Sequence, residues 1–355
     1  MNRGRNAIPD PSRPVRRPPG RPAALGPGAE FDLIRRFLPH GAAAALPPEV
    51  WVGPGDDCAV VSGEGIALST DLSVEGIHFR RDWLSDREIG FRAAAGALSD
   101  LAAVAARPIG VLVSLALPER DAGSAAAHLM EGVRKAAAAV GAVLLGGDVS
   151  RSPGSLVVDV VVVGECPSPV LRSGAVVGDE VWVTGELGGS AAAVAALLRG
   201  EEPDRAARER FAAPMPRVHE ALWLAERGLA SAMIDLSDGL AGDAGHLAAA
   251  SGVAVMLSPE VIPVHRSVRR VAADPAEALR LALGGGEDYE LCFTSPLGAM
   301  QPHAAEFEAA HGVRLTSVGR IGGGDGVWFV DAEGRRSPPG VHGWRHFEEP
   351  EREGA

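Results

Sequence analysis

Between Gly53 and Phe79 two short apolar runs, each flanked by acids and small residues, set the pattern for the whole chain. The first follows Asp56 and Asp57 and ends at Val61; the second, from Ile66, reaches Asp71 and then Glu75, Gly76, Ile77, His78 and Phe79. A turn at Ser62–Gly65 between them predicts a hairpin of two strands. Strand interiors disfavour aspartate, so acids at the ends of both strands need a cause. Taken singly, each is accounted for by a solvated turn. Taken together, they have the chemistry of oxygen ligands for a hard cation such as Mg2+.

The same motif recurs. Asp86–Ala106 reads as a long Ala-rich helix in which Asp100 is the only acid from Ala93 onward, preceded by Ser99. Such a carboxylate either faces solvent or is paired or metal-bound, because burial alone is costly. Ile109–Leu117 reads as a strand and Asp121–Val140 as a second helix. Ala142–Leu145 is a short strand entering a tight turn at Gly146, Gly147 and Asp148. Leu156–Gly164 is a further strand. Prolines at 167 and 169 mark a domain junction. Beyond it a short strand ends at Asp235, and Ser237 is placed as N-cap of a helix running to Ala250, a start suited to an anion. Asp238 beside it serves equally as a first-turn acid favoured by the helix dipole. Gly284–Gly286 lead into Glu287, Asp288, Tyr289 and Glu290 ahead of a strand at Leu291–Thr294.

The mixed order of strands and helices predicts an α+β fold of two layered domains. The expected organisation is a basic, Pro-rich disordered tail over 1–26, an N-terminal domain over 27–166, a C-terminal domain over 167–347 and a frayed tail over 348–355. A net charge of −12 argues against a nucleic-acid partner. No apolar run reaches the length of a membrane span. The three cysteines lie too far apart for a disulfide framework or a zinc site, which fits a reducing cytoplasm. Lys135 is the only lysine and follows no glycine, so there is no P-loop and no kinase strand lysine. Phosphates must then be met by metals, arginines and backbone amides. Convergent carboxylates in this number repel unless divalent ions hold them, and Mg2+ completes its shell with water and phosphate oxygens. The residues alone therefore point to a Mg-nucleotide enzyme.

Seven motifs taken in order resemble the thiamine-monophosphate kinase family, in the superfamily of aminoimidazole ribonucleotide synthetase and selenophosphate synthetase. They are Gly55–Ala59; Ser69–Asp71 with Val74–Phe79; Leu98–Ala102; Gly146–Asp148; Arg172–Ala175; Ile234–Leu240; and Gly285–Leu291. The resemblance runs from about Glu30 to Phe347. It implies two α/β domains of the aminoimidazole ribonucleotide synthetase type and a homodimer that pairs its N-terminal sheets. It implies ATP-dependent phosphorylation of thiamine monophosphate to thiamine diphosphate by direct in-line transfer, assisted by several Mg2+ ions, with K+ a further candidate. Asp57, Ser69, Thr70, Asp71, Asp100, Asp148, Asp235 and Asp238 would hold metal, with Asp71, Asp100, Asp148 and Asp235 central to catalysis. Gly147, Asp148, Arg172 and Ser237 would contact ATP. His78, Glu287 and Trp344 would contact thiamine phosphate, Trp344 by stacking on a cationic ring. Two departures stand out: Val149 follows Asp148 where a threonine is expected, and Val104–Ala106 replaces Met-Gly-Ala. Selenophosphate synthetase lacks support because no cysteine precedes Cys58 and no lysine precedes Lys135. Aminoimidazole ribonucleotide synthetase matches the segments around His78 and Glu287 less well. A non-catalytic nucleotide-binding regulator would not need the acceptor residues His78 and Glu287.

Overall fold

Two sheets flank one buried helix. The computed structural model describes residue 47 and residues 49–52, 60–61 and 65–341. The basic tail, the helix expected at Glu30–Leu38, Asp57, Trp344 and the C-terminal tail lie outside these residues. The first sheet contains β3 (Ile66–Val74), β4 (Arg107–Leu117), β5 (Val143–Arg151) and β6 (Val157–Glu165), in the order β3-β6-β4-β5. β4 and β5 are parallel, as a crossover through a helix requires, and the other pairs are antiparallel.

The expected hairpin does not form. β2 (Val60–Val61) pairs with β1 (Val50–Val52), while β3 pairs along its whole length with β6, from Ile66 opposite Glu165 to Val74 opposite Val157. A two-residue strand offers β3 little, whereas the valine-rich β6 matches all nine of its residues. Asp71 therefore lies inside a strand rather than at its end. Gly146–Asp148 is not a turn either, because β5 runs through it to Arg151. Gly147 is there for close approach: a Cβ on it would stand 1.9 Å from the Val113 carbonyl oxygen of β4.

Helix α1 (Asp86–Ala103) starts on a capping box, with Ser85 Oγ accepting from Glu88 N–H and the Glu88 carboxylate accepting from Ser85 N–H. It ends three residues sooner than expected, in a tight connection where Ala105 takes φ 56°, and Arg107 already belongs to β4. Fourteen of its eighteen residues are buried. A helix that is apolar all round must be packed all round. One side lies on β3 and β6, another on α2 (Ser124–Ala139), and a third on the second half of the molecule.

That half holds the strands β7 (Glu180–Thr184), β8 (Ala232–Asp235), β9 (Ala254–Leu257), β10 (Leu291–Ser295), β11 (Leu315–Gly322), β12 (Val327–Val330) and β13 (Arg336–Ser337). Their order is β13-β12-β9-β11-β7-β10-β8. Strand alternation divides its apolar residues between two cores. Trp182, Met233 and Phe293 join the α1 core together with α3 (Gly189–Leu198), α4 (Arg205–Ala212) and α5 (Val218–Glu226). Val181, Val183, Ile234 and Cys292 face the other way, toward α6 (Leu240–Ser251) and α7 (Pro275–Gly284). One apolar core thus runs from the first sheet through α1 into the second. Among the described residues no helix is long and apolar enough to cross a membrane.

α1 and α2 touch through reciprocal glycines. A Cβ on Gly90 would stand 1.9 Å from Leu129 O, and one on Gly132 the same distance from Arg87 O. Both obstacles are backbone, which cannot rotate aside. Gly132→Ala is expected to destabilise the protein by roughly 2 kcal/mol, the ordinary scale of overpacking. A urea midpoint unchanged from wild type would refute this close helix contact.

Candidate active site

The acids singled out in the sequence come from separate elements, and three of them meet where α1 passes between the sheets. Asp71 projects from β3 on the face that α1 covers. Asp100 lies on α1 and accepts a hydrogen bond from Ser69 Oγ at 2.5 Å. Asp235 ends β8 and accepts from Ser99 Oγ of α1 at 2.6 Å. Adjacent residues on one helix turn, Ser99 and Asp100, thus tie both sheets to α1. Burial, then the charges of Asp100 and Glu287, lifts Asp71 to a pKa of about 6. Burial, then Asp100, does the same to Asp235, again to about 6. Burial also raises Asp100, against the opposing hydrogen bond from Ser69 and the charge of Arg172. Arg172, exposed on the segment before β7, eases both Asp100 and Asp235.

Other expected residues fall elsewhere. Thr70 alternates to the outward face of β3 and donates to Asp159 Oδ1 at 2.7 Å. Asp148 aligns with Ser114, which aligns with Asp159, so all three share that outward face, opposite Asp71. Its carboxylate accepts from Val149 N–H at 2.9 Å. His78 lies in the turn after β3, its Nδ1 accepting from Val74 N–H at 3.0 Å. Ser237 is not the helix cap. Gly239 is, at φ 103°, and Asp243 inside the first turn accepts from the N–H groups of Asp238 (3.1 Å) and Gly239 (3.0 Å). The Ser237 carbonyl instead accepts from Glu287 N–H at 2.7 Å. The anion site expected at this helix start is therefore occupied by the chain's own carboxyl. Burial, then the nearby charges of Asp235 and Asp238, drives Asp243 to about 8.

The loop Gly285–Glu290 brings the second half of the molecule to Asp71. Glu287 and Tyr289 adopt φ 67° and 50°, left-handed values that cost about 1 kcal/mol or more each in a non-glycine residue. What holds them is on both sides. Glu287 N–H and Tyr289 N–H donate to Ser237 O and Leu236 O, at 2.7 and 2.9 Å. Asp288 turns the other way and accepts from Gly188 N–H at 2.7 Å, at the start of α3; burial raises it to about 7. Glu290 is completely buried between Arg210 and Arg217, with Thr184 Oγ1 donating to it at 2.7 Å. Burial alone would raise Glu290, but Arg217 and then Arg210 bring it below the usual range. The side chain of Glu287 forms an ion pair with Arg92 of α1. Arg92 is itself buried, donates to Phe211 O at 2.6 Å and stacks over the Phe211 ring at 4.4 Å.

Arg92, Ser99, Asp159, Asp243 and Tyr289 are not among the site residues expected from the sequence. Arg92 carries the clearest signal. It interrupts the same apolar helix as Asp100, so the cost of burying a lone charge applies to it equally. Asp243 carries none, since a first-turn acid is ordinary. The donor set around Asp71, Asp100 and Asp235 is carboxylate and hydroxyl oxygen, which suits Mg2+ rather than a softer ion. Among the described residues no three carboxylate, histidine or cysteine side chains converge on one point to cage an ion.

The family described as AIR synthase related protein matches this chain through its N-terminal domain at residues 55–166 and its C-terminal domain at residues 176–328. The thiamine-monophosphate kinase of Mycobacterium tuberculosis (strain H37Rv) is 36% identical over 334 residues, covering 92% of this chain and 94% of that protein. The crystal structure of thiamine-monophosphate kinase from Stenotrophomonas maltophilia K279a superposes with a TM-score of 0.75 at 32% identity, over 88% of this chain and 98% of that one. A second structure, "AaThiL complexed with AMPPCP and TMP", gives 0.70 at 32% identity over 79% and 87%.

Asp243 offers a direct test of these electrostatics. Its carboxyl ionises near 4 when unfolded and at about 8 when folded. Between those values the folded state holds the extra proton, so wild-type stability falls as pH rises through the window. Asp243→Asn keeps an acceptor for both N–H groups and cannot ionise. Its stability relative to wild type should therefore climb between about pH 5 and pH 8 and level off above. The measurement is urea unfolding of chelator-treated protein at several pH values, and a pH-independent difference would contradict the assignment.

Proposed function

This chain belongs to the thiamine-monophosphate kinase family of AIR synthase-related proteins, and on that premise we propose that it transfers the γ-phosphoryl group of ATP to the phosphate of thiamine monophosphate. The observation that carries the reading is the meeting of Asp71, Asp100 and Asp235 with Glu287 at the crossing of α1 between the sheets. Nucleotide and thiamine phosphate together in a related protein support the pairing of substrates. The acceptor phosphate is largely dianionic at neutral pH and needs no general base. What the protein must do is bring two anions into line and keep them there.

Asp71, Asp100 and Asp235, with Ser69, Asp57 and Asp238, would hold Mg2+. Bound there, Mg2+ would offset the repulsion between the two phosphates. Arg172, beside Asp100 and Asp235, would present a guanidinium to the nucleotide phosphates, and Gly147 and Ser237 are assigned to the nucleotide as well. Glu287 and His78 are assigned to the acceptor phosphate, and Trp344 to the thiamine ring. K+ is a further candidate. The reading places the activity in the cytoplasm.

A homodimer completes the proposal. β3 is the edge of its sheet, and Ile66, Leu68 and Leu72 on its outward face are 41%, 67% and 51% exposed. Apolar side chains exposed in a row on a sheet face mark an interaction surface. A second copy laid on this face would cover them. Asp148, on the same face, would then serve the partner copy's nucleotide rather than its own.

Two outcomes follow. Purified protein should release ADP from ATP with thiamine monophosphate and not with free thiamine; chelator should abolish the reaction, and Asp71→Asn should lower turnover at least a thousandfold without changing the melting temperature by more than a few degrees. Activity with free thiamine alone, or near-normal kinetics in Asp71→Asn, overturns the assignment. Sedimentation should show a dimer in wild type and a monomer in Leu68→Glu; a monomeric wild type removes the dimer.

A further inference from the structure

Tyr289 is the only tyrosine in the chain. It is 9% exposed, yet it belongs to none of the apolar clusters that take up the other large buried side chains. Its backbone sits in the left-handed region between two anchored acids, so the position is imposed by the loop rather than chosen by the ring. The ring runs toward α1 at Gly96. A Cβ on Gly96 would stand 3.0 Å from the Tyr289 hydroxyl and 2.7 Å from Asp71 Oδ2. The phenol and the carboxylate therefore face the same bare patch of helix. Glu287, Arg92 and Asp235 lie within charge reach of the phenol as well.

Among the described residues the hydroxyl donates to no protein acceptor, although carboxylates surround it. A phenol O–H is a neutral donor, and it stands in a site whose donors Ser69, Ser99 and Arg92 are already engaged by carboxylates. A donor so placed suits an incoming anionic oxygen. Glu287, assigned above to the acceptor, and Asp71 bear on the phenol, whereas Arg172, assigned to the nucleotide, bears on Asp100 and Asp235, so that oxygen belongs to the acceptor.

We propose that Tyr289 is a substrate-binding residue of the acceptor site, its hydroxyl donating a hydrogen bond to a phosphate-monoester oxygen of thiamine monophosphate beside Asp71. This rests on the kinase reading above and adds a residue to it. The bare surface at Gly96 is what lets phenol and carboxylate both lie against the helix, since any side chain there would push them away from it.

Tyr289→Phe removes the hydroxyl and keeps the ring. A hydrogen bond to a charged oxygen is strong enough that its loss should raise KM for thiamine monophosphate about tenfold. KM for ATP should stay within twofold and the melting temperature should not move. Unchanged KM for thiamine monophosphate, or equal rises in both KM values, overturns the proposal. A second measurement needs no mutation. Because the chain has one tyrosine, growth with 3-fluorotyrosine places a single 19F probe at residue 289. Its resonance should shift with thiamine monophosphate and not with free thiamine; no shift, or the same shift with both, rejects the contact. Wild-type protein inactive on thiamine monophosphate overturns the kinase reading itself, whereas active wild type with an indifferent Tyr289→Phe removes only this residue.

Discussion

Three carboxyls that repel one another are held together at the centre of this molecule, and most of the surrounding structure exists to make that tolerable. Asp71, Asp100 and Asp235 come from β3, α1 and β8, which are far apart in sequence. Ser69 and Ser99 each donate one hydrogen bond, and Arg92 and Arg172 supply positive charge nearby. The compensation is incomplete, since Asp71 and Asp235 still ionise well above the usual carboxylate range. A packed apolar core on both sides of α1 supplies the stability that this repulsion subtracts. On the proposed reading, the unmet part of the charge is what draws in a cation and the polyphosphate it carries.

The loop from Glu287 to Glu290 shows how one cluster of acids can do four unrelated things. Glu287 pairs with Arg92 across to α1, Asp288 meets the start of α3, Tyr289 points at Gly96, and Glu290 is buried between Arg210 and Arg217. The left-handed turns at positions 287 and 289 are what send successive side chains in opposing directions. Composition alone does not tell anchor from working surface in this segment, and the fold separates them.

Asp71, Asp100 and Asp235 are legible in the amino-acid sequence because aspartate is misplaced in a strand or an apolar helix, and that mismatch survives folding. The α+β layering is equally readable from the mixed order of strands and helices. The features that sequence reasoning misses have a common physical origin. Pairing β3 with β2 follows proximity along the chain, but β6, some ninety residues away, offers a matching length of valine-rich edge. Gly147 looks like a turn because glycine permits one, while its use is to let two backbones touch. Ser237 looks like a cap because serine is a good one, but Asp243 reaches the neighbouring amides from inside the helix. Local chemistry gives the options, and which one is taken depends on partners distant in sequence.

Along α1, Arg92, Gly96, Ser99 and Asp100 follow one another closely enough, at three- and four-residue intervals from Gly96, to share a common side of the helix. Each meets a different residue, Glu287, Tyr289, Asp235 and Ser69, from a loop and two strands. The helix works as a graduated ruler against which both halves of the molecule are set. Loops elsewhere can lengthen without disturbing the scale, but one residue inserted between positions 92 and 100 would turn half of these marks by about 100° and leave them facing the wrong neighbours.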